Sequence, residues 1–580
     1  MNMKKVIFSI FAGAMTLTLA CGDGTKKIAA VTDKTQLYFV GGGIASLSGA
    51  VFAIRDGHIS GKNIHIFEGM KVLGGSLDAE KSPDKYYVIR GARKYNIEVF
   101  KCTWDLFSAI PSLSDPNKTV KDEFFEFNRI HKKNAKSRLI DKNRNKDDAT
   151  SMGLSWGDRK DMLSLIFVPE SRIENRRIDS WFTPSFFKTN FWYVYASMFG
   201  FETWNDLVEC KRYFLRFLHD FYRMSQGGGE VITPYNQYDS MIRPITKWLR
   251  EQGVNFETGC KVTDLDFTPS KNELTVERIH FIRNGEIKEI AVNKGDYVFV
   301  TNGSMTADSR RGSMTKPAPV ERRKLDGSWT LWENIVKKAK IQLFSLDGKK
   351  TIQPTDLGNP TMQPTDMGNP SVFSDHIDET KWVTFSVTTK DPTFLTLFEK
   401  FTGNKPGQAD LVTFKDSNWL MSIHVPYQPH FINQPKDTVL WGGYGLIADK
   451  EGNYVKKKMS ECNGGEILTE VCHQFGFVKE LPHIIKTSTC IPSMMPYECA
   501  QFMPRKKIDR PRVVPNRSTN LAFMGQFTES DECVYLVESS VRCGQMAVYT
   551  LLNTDKKVPP VYTGVYNPVV WFRTLVTVFR

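Results

Sequence analysis

Four apolar residues, Leu37-Tyr38-Phe39-Val40, run directly into Gly41-Gly42-Gly43, and apolar side chains then recur at helical spacing at Ile44, Leu47, Ala50, Val51 and Ile54. The pattern predicts strand, tight turn and helix in that order. A second apolar run, Ile64-His65-Ile66-Phe67, ends on Glu68, so a βαβ unit is complete within about 30 residues. Two parallel strands joined by a helix belong to a sheet buried on both faces, with the glycine turn at its carboxyl edge. In Gly41-x-Gly43-x-x-Ser46 the first glycine permits the turn and the second lets backbone amides approach a diphosphate at a helix N-terminus. The third position needs only a small residue. Glu68 stands where an acid accepts hydrogen bonds from ribose hydroxyls. A dinucleotide site is therefore expected.

Gly74-Gly75-Ser76 follows shortly after Glu68, and a glycine pair there lets the chain pass close to a bound diphosphate and isoalloxazine. This favours FAD over NAD. Two later buried-strand signals end in turns, Tyr297–Val300 with Thr301-Asn302-Gly303 and Leu521–Met524 with Gly525. They fit a sheet that the chain rejoins after long insertions, similar to flavoproteins of the glutathione-reductase type. The expected fold is α/β, a Rossmann-like FAD-binding fold of that type with a large inserted substrate domain and a C-terminal helical segment. Expected cofactor-binding residues are Gly41, Gly43, Ser46, Glu68, Gly74, Gly75, Ser76, Arg93, Asn302 and Gly525.

With 580 residues and 41% hydrophobic content the chain has ample material for a large core, which excludes global disorder. Expected segments are a signal peptide over 1–20, a tether over 21–36 and the first part of the FAD domain over 37–130. A helical or mixed insertion lining the substrate site follows over 131–285, then the second part of the FAD domain over 286–310 and a substrate domain over 311–500. The last part of the FAD domain takes 501–555, and an amphipathic helix 556–580. Lys4 and Lys5 precede an apolar stretch to Ala20, and Thr18-Leu19-Ala20-Cys21 resembles a bacterial lipobox in which Cys21 is lipidated. The alternative is an uncleaved, membrane-associated N-terminus on a cytoplasmic protein. Lysine and arginine number 77 against 64 acids, a net +13 that suits an anionic partner without choosing one. Eight basic residues between Arg129 and Lys146 predict a solvated loop, with a membrane-facing patch as the sharper option. Aromatics from Tyr213 to Tyr222 repeat at helical spacing, and a short duplication, Gln353–Pro360 and Gln363–Pro370, is turn-rich. The ten scattered cysteines predict neither a metal site nor a disulfide framework.

Several ordered segments resemble the oleate hydratases, also called myosin-cross-reactive antigens. They are Gly41–Leu47, Gly74–Leu77, Cys102–Phe107 with Ile110–Leu113, Tyr235–Tyr238, Gln428–Phe431, Met503–Arg505 with Asp509–Pro511, and Gly525–Phe527. The resemblance implies an FAD-dependent hydro-lyase that adds water to a cis double bond of an unsaturated long-chain fatty acid, as in oleate to 10-hydroxystearate, with no net redox change. It also implies a membrane surface and a second copy of the chain as partners, with no nucleic acid. In that family the proton donor is the tyrosine of an Arg-Arg-Tyr stretch, which Lys211-Arg212-Tyr213 matches.

Two departures stand out. The family loop reads Arg-Gly-Gly-Arg-Glu, whereas this chain has Arg90-Gly91-Ala92-Arg93-Lys94, placing an ammonium where a carboxylate orients water. Lys94 opposes the developing cation unless burial makes it a neutral base, which predicts reduced or retuned activity; Glu98 is a weak substitute. The Thr and Asn that precede Gln-Pro-His-Phe are replaced by His424 and Pro426, leaving His430 and His424 as expected ligands of the substrate carboxylate. A lipid-acting flavin oxidoreductase and a catalytically idle fatty-acid-binding paralogue are the competing functions.

Overall fold

The computed structural model describes residues 31–578 apart from 78, 83–85, 90–92, 228, 271, 346–365, 410, 531–532 and 535. Cys21, the signal-like segment and the first copy of the duplication lie outside the described residues. Strands β1 (Leu37–Val40), β2 (Ile64–Glu68), β3 (Asn255–Thr258), β4 (Tyr297–Thr301) and β5 (Leu521–Met524) form one sheet in the order β5-β4-β1-β2-β3. All neighbours are parallel. Side chains alternate between two cores: Leu37, Phe39, Tyr297, Phe299, Ala522 and Met524 pack on one face, and Tyr38, Val40, Val298, Val300, Leu521 and Phe523 on the other. Burial on both faces is why β1, β4 and β5 read as unbroken apolar runs.

Helix α1 (Ile44–Arg55) and the helix Val537–Leu551 cover the first face. They touch almost backbone to backbone, since a Cβ on Gly544 would lie 2.6 Å from the Ala45 carbonyl oxygen. The helix Ser328–Ser345, with Trp329, Trp332 and Ile335, packs on the second face beside a three-stranded antiparallel sheet, Cys260–Phe267, Val276–Arg283 and Glu286–Ala291. β1 has β2 on one side and β4 on the other, so the strand order reverses at its carboxyl end. That reversal opens the crevice in which open α/β sheets bind ligands.

A mixed eight-stranded sheet, with Trp382–Thr389 between Ser488–Met495 and Val439–Gly445, carries a third core. Its far edge holds Leu139–Ile140 and Lys146–Asp147. The basic stretch is therefore not a solvated loop throughout: Leu139 and Ile140 pair with Val412–Phe414, and Arg138 is buried, donating to the Leu411 carbonyl at 3.0 Å. Two apolar residues among eight cations are too few to register as a periodic signal. β3 lies within the 131–285 stretch assigned to the insertion, yet it completes the parallel sheet. As an edge strand of sequence Asn-Phe-Glu-Thr it lacks an apolar run. The aromatic repeat after Tyr213 divides into α2 (Leu207–Phe217) and a 3₁₀ segment, Leu218–Gln226, because a spacing of three to four residues suits both. The C-terminal helix α3 spans Pro568–Val578.

Candidate active site

The turn between β1 and α1 gives its three glycines different reasons to be glycine. Gly41 adopts φ +95°, and a Cβ there would lie 3.0 Å from Thr301 Cβ. On Gly42 a Cβ would lie 2.6 Å from Leu73 Cδ2. Gly43 has φ −79° and ψ 178°, which any residue adopts, and its Cβ would meet only Gly75 Cα at 3.9 Å. Among the described residues neither backbone nor packing forbids a side chain at Gly43, and a glycine there keeps the turn open to close approach by a diphosphate. Gly74, at φ +116°, donates its amide to the Gly42 carbonyl at 2.9 Å, and Gly75 follows at φ +57°. Gly43 caps α1 with no side chain, and the first turn carries no acid. The partial positive charge of the helix end therefore faces this gap unneutralised, as a diphosphate requires.

Glu68 is fixed at the end of β2: Oε2 accepts from the Gly42 amide and Oε1 from the Met70 amide, each at 2.7 Å. Ser46 is buried, its hydroxyl 3.2 Å from Thr301 Oγ1. Asn302 ties the end of β4 to the next loop, accepting from Thr528 Oγ1 at 2.6 Å and donating to the Phe527 carbonyl at 3.4 Å. Gly525 ends β5 at φ +99°. The glycine cradle, the uncapped helix and the acid at β2 fit a dinucleotide.

Ile44 and Ser76 from this cradle line a cavity of about 160 Å³ whose other walls include Tyr213, Lys94, Glu230 and His424. A second cavity of about 30 Å³ shares Arg93, Lys94 and His424 with the first and adds His430. The residues expected to protonate, to activate water and to hold a carboxylate thus meet at two spaces with a common wall.

Tyr213 is held there by the two residues before it. Lys211 donates to the carbonyls of Ile166, at 3.1 Å, and Val168, while Arg212 grips Glu170 at 3.0 and 2.9 Å and Glu529 at 3.2 Å. One turn earlier, buried Glu209 binds Arg505 at 2.6 Å and Arg510 at 3.1 Å. Asp206 caps α2, its side chain accepting from the Glu209 amide at 3.2 Å, and burial pushes its carboxyl up to about 7. The Tyr213 ring packs against Phe199 and Phe201 with centroids 5.0 and 5.1 Å away.

Lys94 does not stand against the cavity as an isolated cation. Its Nζ lies 3.3 Å from Glu230 Oε1, and the other oxygen of Glu230 lies 3.2 Å from Lys133 Nζ. Arg93 reaches toward Glu498 Oε1 and Met305 Sδ, each at 3.9 Å. Glu98 lies 3.8 Å from His219 and 3.6 Å from Arg223 and lines neither cavity, so it does not serve as the missing carboxylate. His430 is buried and its backbone carbonyl accepts from both the amide and the side chain of Asn236. Burial, with His424 adding to it, brings the His430 imidazole down to about 3, so it is a neutral hydrogen-bonding group near pH 7. Sequence reasoning missed Glu230 and Glu498 as lining residues. For Glu230 the available signal was the run Gly227-Gly228-Gly229 immediately before it.

Comparisons with known proteins bear on most of the chain. An oleate hydratase from Streptococcus pyogenes serotype M49 (strain NZ131) is 36% identical over 551 residues, covering 92% of this chain and 88% of that protein. A linoleate hydratase from Lactiplantibacillus plantarum is 33% identical over 561 residues, covering 89% and 93%. The MCRA family model matches residues 34–342 and 359–549, and with both halves of the cradle, Lys94, Tyr213 and the two histidines inside the matched ranges, the chain belongs to the MCRA family.

Proposed function

We propose that this protein binds FAD in the Gly41–Gly43 cradle and adds water to a cis double bond of an unsaturated long-chain fatty acid, of the oleate to 10-hydroxystearate type. The carrying observation is that Tyr213, the cradle and His424 line one largely apolar cavity, with Phe100, Phe199, Phe217 and Trp382 among its walls, and that His430 sits behind the shared wall. An apolar chamber with a few placed polar groups is what an acyl chain with one reacting bond needs. The names of the relatives, an oleate and a linoleate hydratase, agree with this chemistry.

Gly41, Gly43, Ser46, Glu68, Gly74, Gly75 and Ser76 would hold the cofactor, with Arg93, Asn302 and Gly525 nearby. FAD, when bound, would order the site without exchanging electrons, since hydration involves no net redox change. Tyr213 protonates one alkene carbon while water adds to the other, where positive charge develops. The neutral ring of His430, with His424, donates hydrogen bonds to the substrate carboxylate. Incubating FAD-reconstituted protein with oleate under argon tests the reading by mass spectrometry: one added water is expected. Bleaching of the flavin without hydration would instead favour a lipid-acting oxidoreductase, and binding without either change an idle paralogue.

Access from a lipid surface fits the same reading. The C-terminal segment exposes Tyr566, Val569, Phe572 and Val576 beside exposed Phe167, and Phe167 stacks on Trp571 at 5.9 Å. No helix of the described residues is long and apolar enough to cross a membrane. The signal-like N-terminus supports export with Cys21 as a lipid anchor, and fractionation of Cys21→Ala, expected to move the chain to the soluble fraction, tests that.

A further inference from the structure

The substitution at residue 94 leaves a chemical role vacant, because water adding to a cation-like carbon needs a base to orient it and take its proton. We propose that Glu230 takes this role and that Lys94 is a positioning residue for it. The inference rests on the hydratase reading above.

Glu230 begins the short strand Glu230–Val231, which pairs antiparallel with Tyr95–Asn96, Asn96 opposite Glu230. The pairing sets Glu230 beside Lys94, the residue that precedes its partner strand. The approach to the strand is fixed: Gly229 adopts φ +90°, and a Cβ there would lie 2.3 Å from Asp220 Oδ1. The Glu230 side chain is only 9% exposed, yet the residue lines the same cavity as Tyr213. Each carboxylate oxygen faces one ammonium, Lys94 at 3.3 Å and Lys133 at 3.2 Å. The two lysine contacts hold the carboxylate at the wall of the cavity that Tyr213 also lines. A lysine at 94 thus delivers, from across a two-stranded ladder, the group that a glutamate at 94 would carry itself.

The step balances as follows. The Tyr213 O–H bond breaks and its proton bonds to one alkene carbon through the π pair. The oxygen of water bonds to the other carbon, and one water proton passes to the Glu230 carboxylate. That proton returns to the tyrosinate through solvent after product leaves, so one water is consumed per alkene.

Five FAD-loaded proteins decide the matter: the natural chain, Glu230→Gln, Glu230→Asp, Lys94→Glu/Glu230→Gln and Glu498→Gln. Each is assayed for oleate hydration by mass spectrometry, with flavin fluorescence and oleate binding as checks of integrity. Glu230→Gln should lose about 10² to 10³ in kcat with oleate affinity little changed, the usual loss for one well-placed polar group. Glu230→Asp should keep part of the rate, and the double variant, with its carboxylate at 94, should recover at least a tenth of the natural rate. A Glu230→Gln protein that binds flavin and oleate and turns over normally would overturn the proposal, as would loss of rate in Glu498→Gln alone. If Glu230→Gln fails to bind flavin, the double variant decides: its activity supports the assignment, and its inactivity while oleate and flavin still bind overturns it. Absence of hydration by the natural chain would overturn the hydratase reading itself, and this inference with it.

Discussion

The cofactor cradle and the reaction cavity are built in opposite ways. The cradle comes from residues 37–76 of one continuous stretch, and its groups are mostly backbone: amides, an uncapped helix end and the absence of side chains at Gly43 and Gly75. The cavity draws side chains from distant elements, Lys94, Tyr213, Glu230, Trp382, His424 and Glu498 among them. A backbone site tolerates no change at a few positions and is indifferent elsewhere, because its geometry is fixed by φ, ψ and close approach. A side-chain site tolerates substitution at a given position provided that another element supplies the lost group. Lys94 with Glu230 is the case in point.

The sharpest way to break this contrast is at Tyr213. Tyr213→Phe preserves the packing against Phe199 and Phe201 and should lower oleate hydration by about 10² to 10⁴, with flavin fluorescence titration showing unchanged affinity. Retained activity would remove Tyr213 from the chemistry. Next in size is Gly43→Val, for which FAD affinity should weaken about a hundredfold, or roughly 2.7 kcal/mol, while thermal unfolding of the cofactor-free chain moves less, because among the described residues an added Cβ comes within 4 Å only of Gly75 Cα. Gly42→Ala should do the reverse: its Cβ overlaps Leu73, and overpacking of this kind costs about 1–3 kcal/mol of stability, read as a lower denaturation midpoint without cofactor.

A smaller effect is expected at the carboxylate end. His430→Ala should raise KM for oleate about tenfold, near 1.4 kcal/mol for a lost hydrogen bond to a charged group, with kcat changed less. Steady-state kinetics on oleate and on its methyl ester would separate the two, since the ester should be nearly insensitive to the substitution. A further effect, read through pH, concerns the helix that carries Tyr213. Burial raises the Asp206 carboxyl from 3.8 to about 7, so the folded state holds this proton more tightly than the unfolded chain does. Its contribution to stability is full below pH 4 and is lost as pH rises through about 7. Asp206→Asn keeps a good cap and should flatten the decline of melting temperature between pH 4 and 7; an unchanged slope would count against the raised pKa.

How legible each region was follows from the same contrast. Strand, glycine turn, helix, strand and acid occur consecutively, and each imposes a local constraint, so Leu37 to Glu68 could be read directly. The later strands β4 and β5 carried the apolar runs of a doubly buried sheet. β3 did not, because an edge strand is half solvated. The basic stretch concealed Leu139–Ile140 because their partner, Val412–Phe414, is more than 270 residues further on. The expectation for Tyr213 came from the family resemblance of Lys211-Arg212-Tyr213, and in the structure Lys211 and Arg212 anchor α2 on both sides.

What the sequence by itself determined was the cradle, since conformational freedom, apolar periodicity and helix-end charge are properties of a few consecutive residues. What only the tertiary structure decided was the charge at residue 94. On the sequence Lys94 is a cation in place of a carboxylate. In the folded chain the ladder between Tyr95–Asn96 and Glu230–Val231 sets a carboxylate against it, with Lys133 on the other side. Coulomb energy falls with distance in space and has no regard for separation along the chain, so the meaning of an ionised side chain is fixed only when the fold chooses its neighbours.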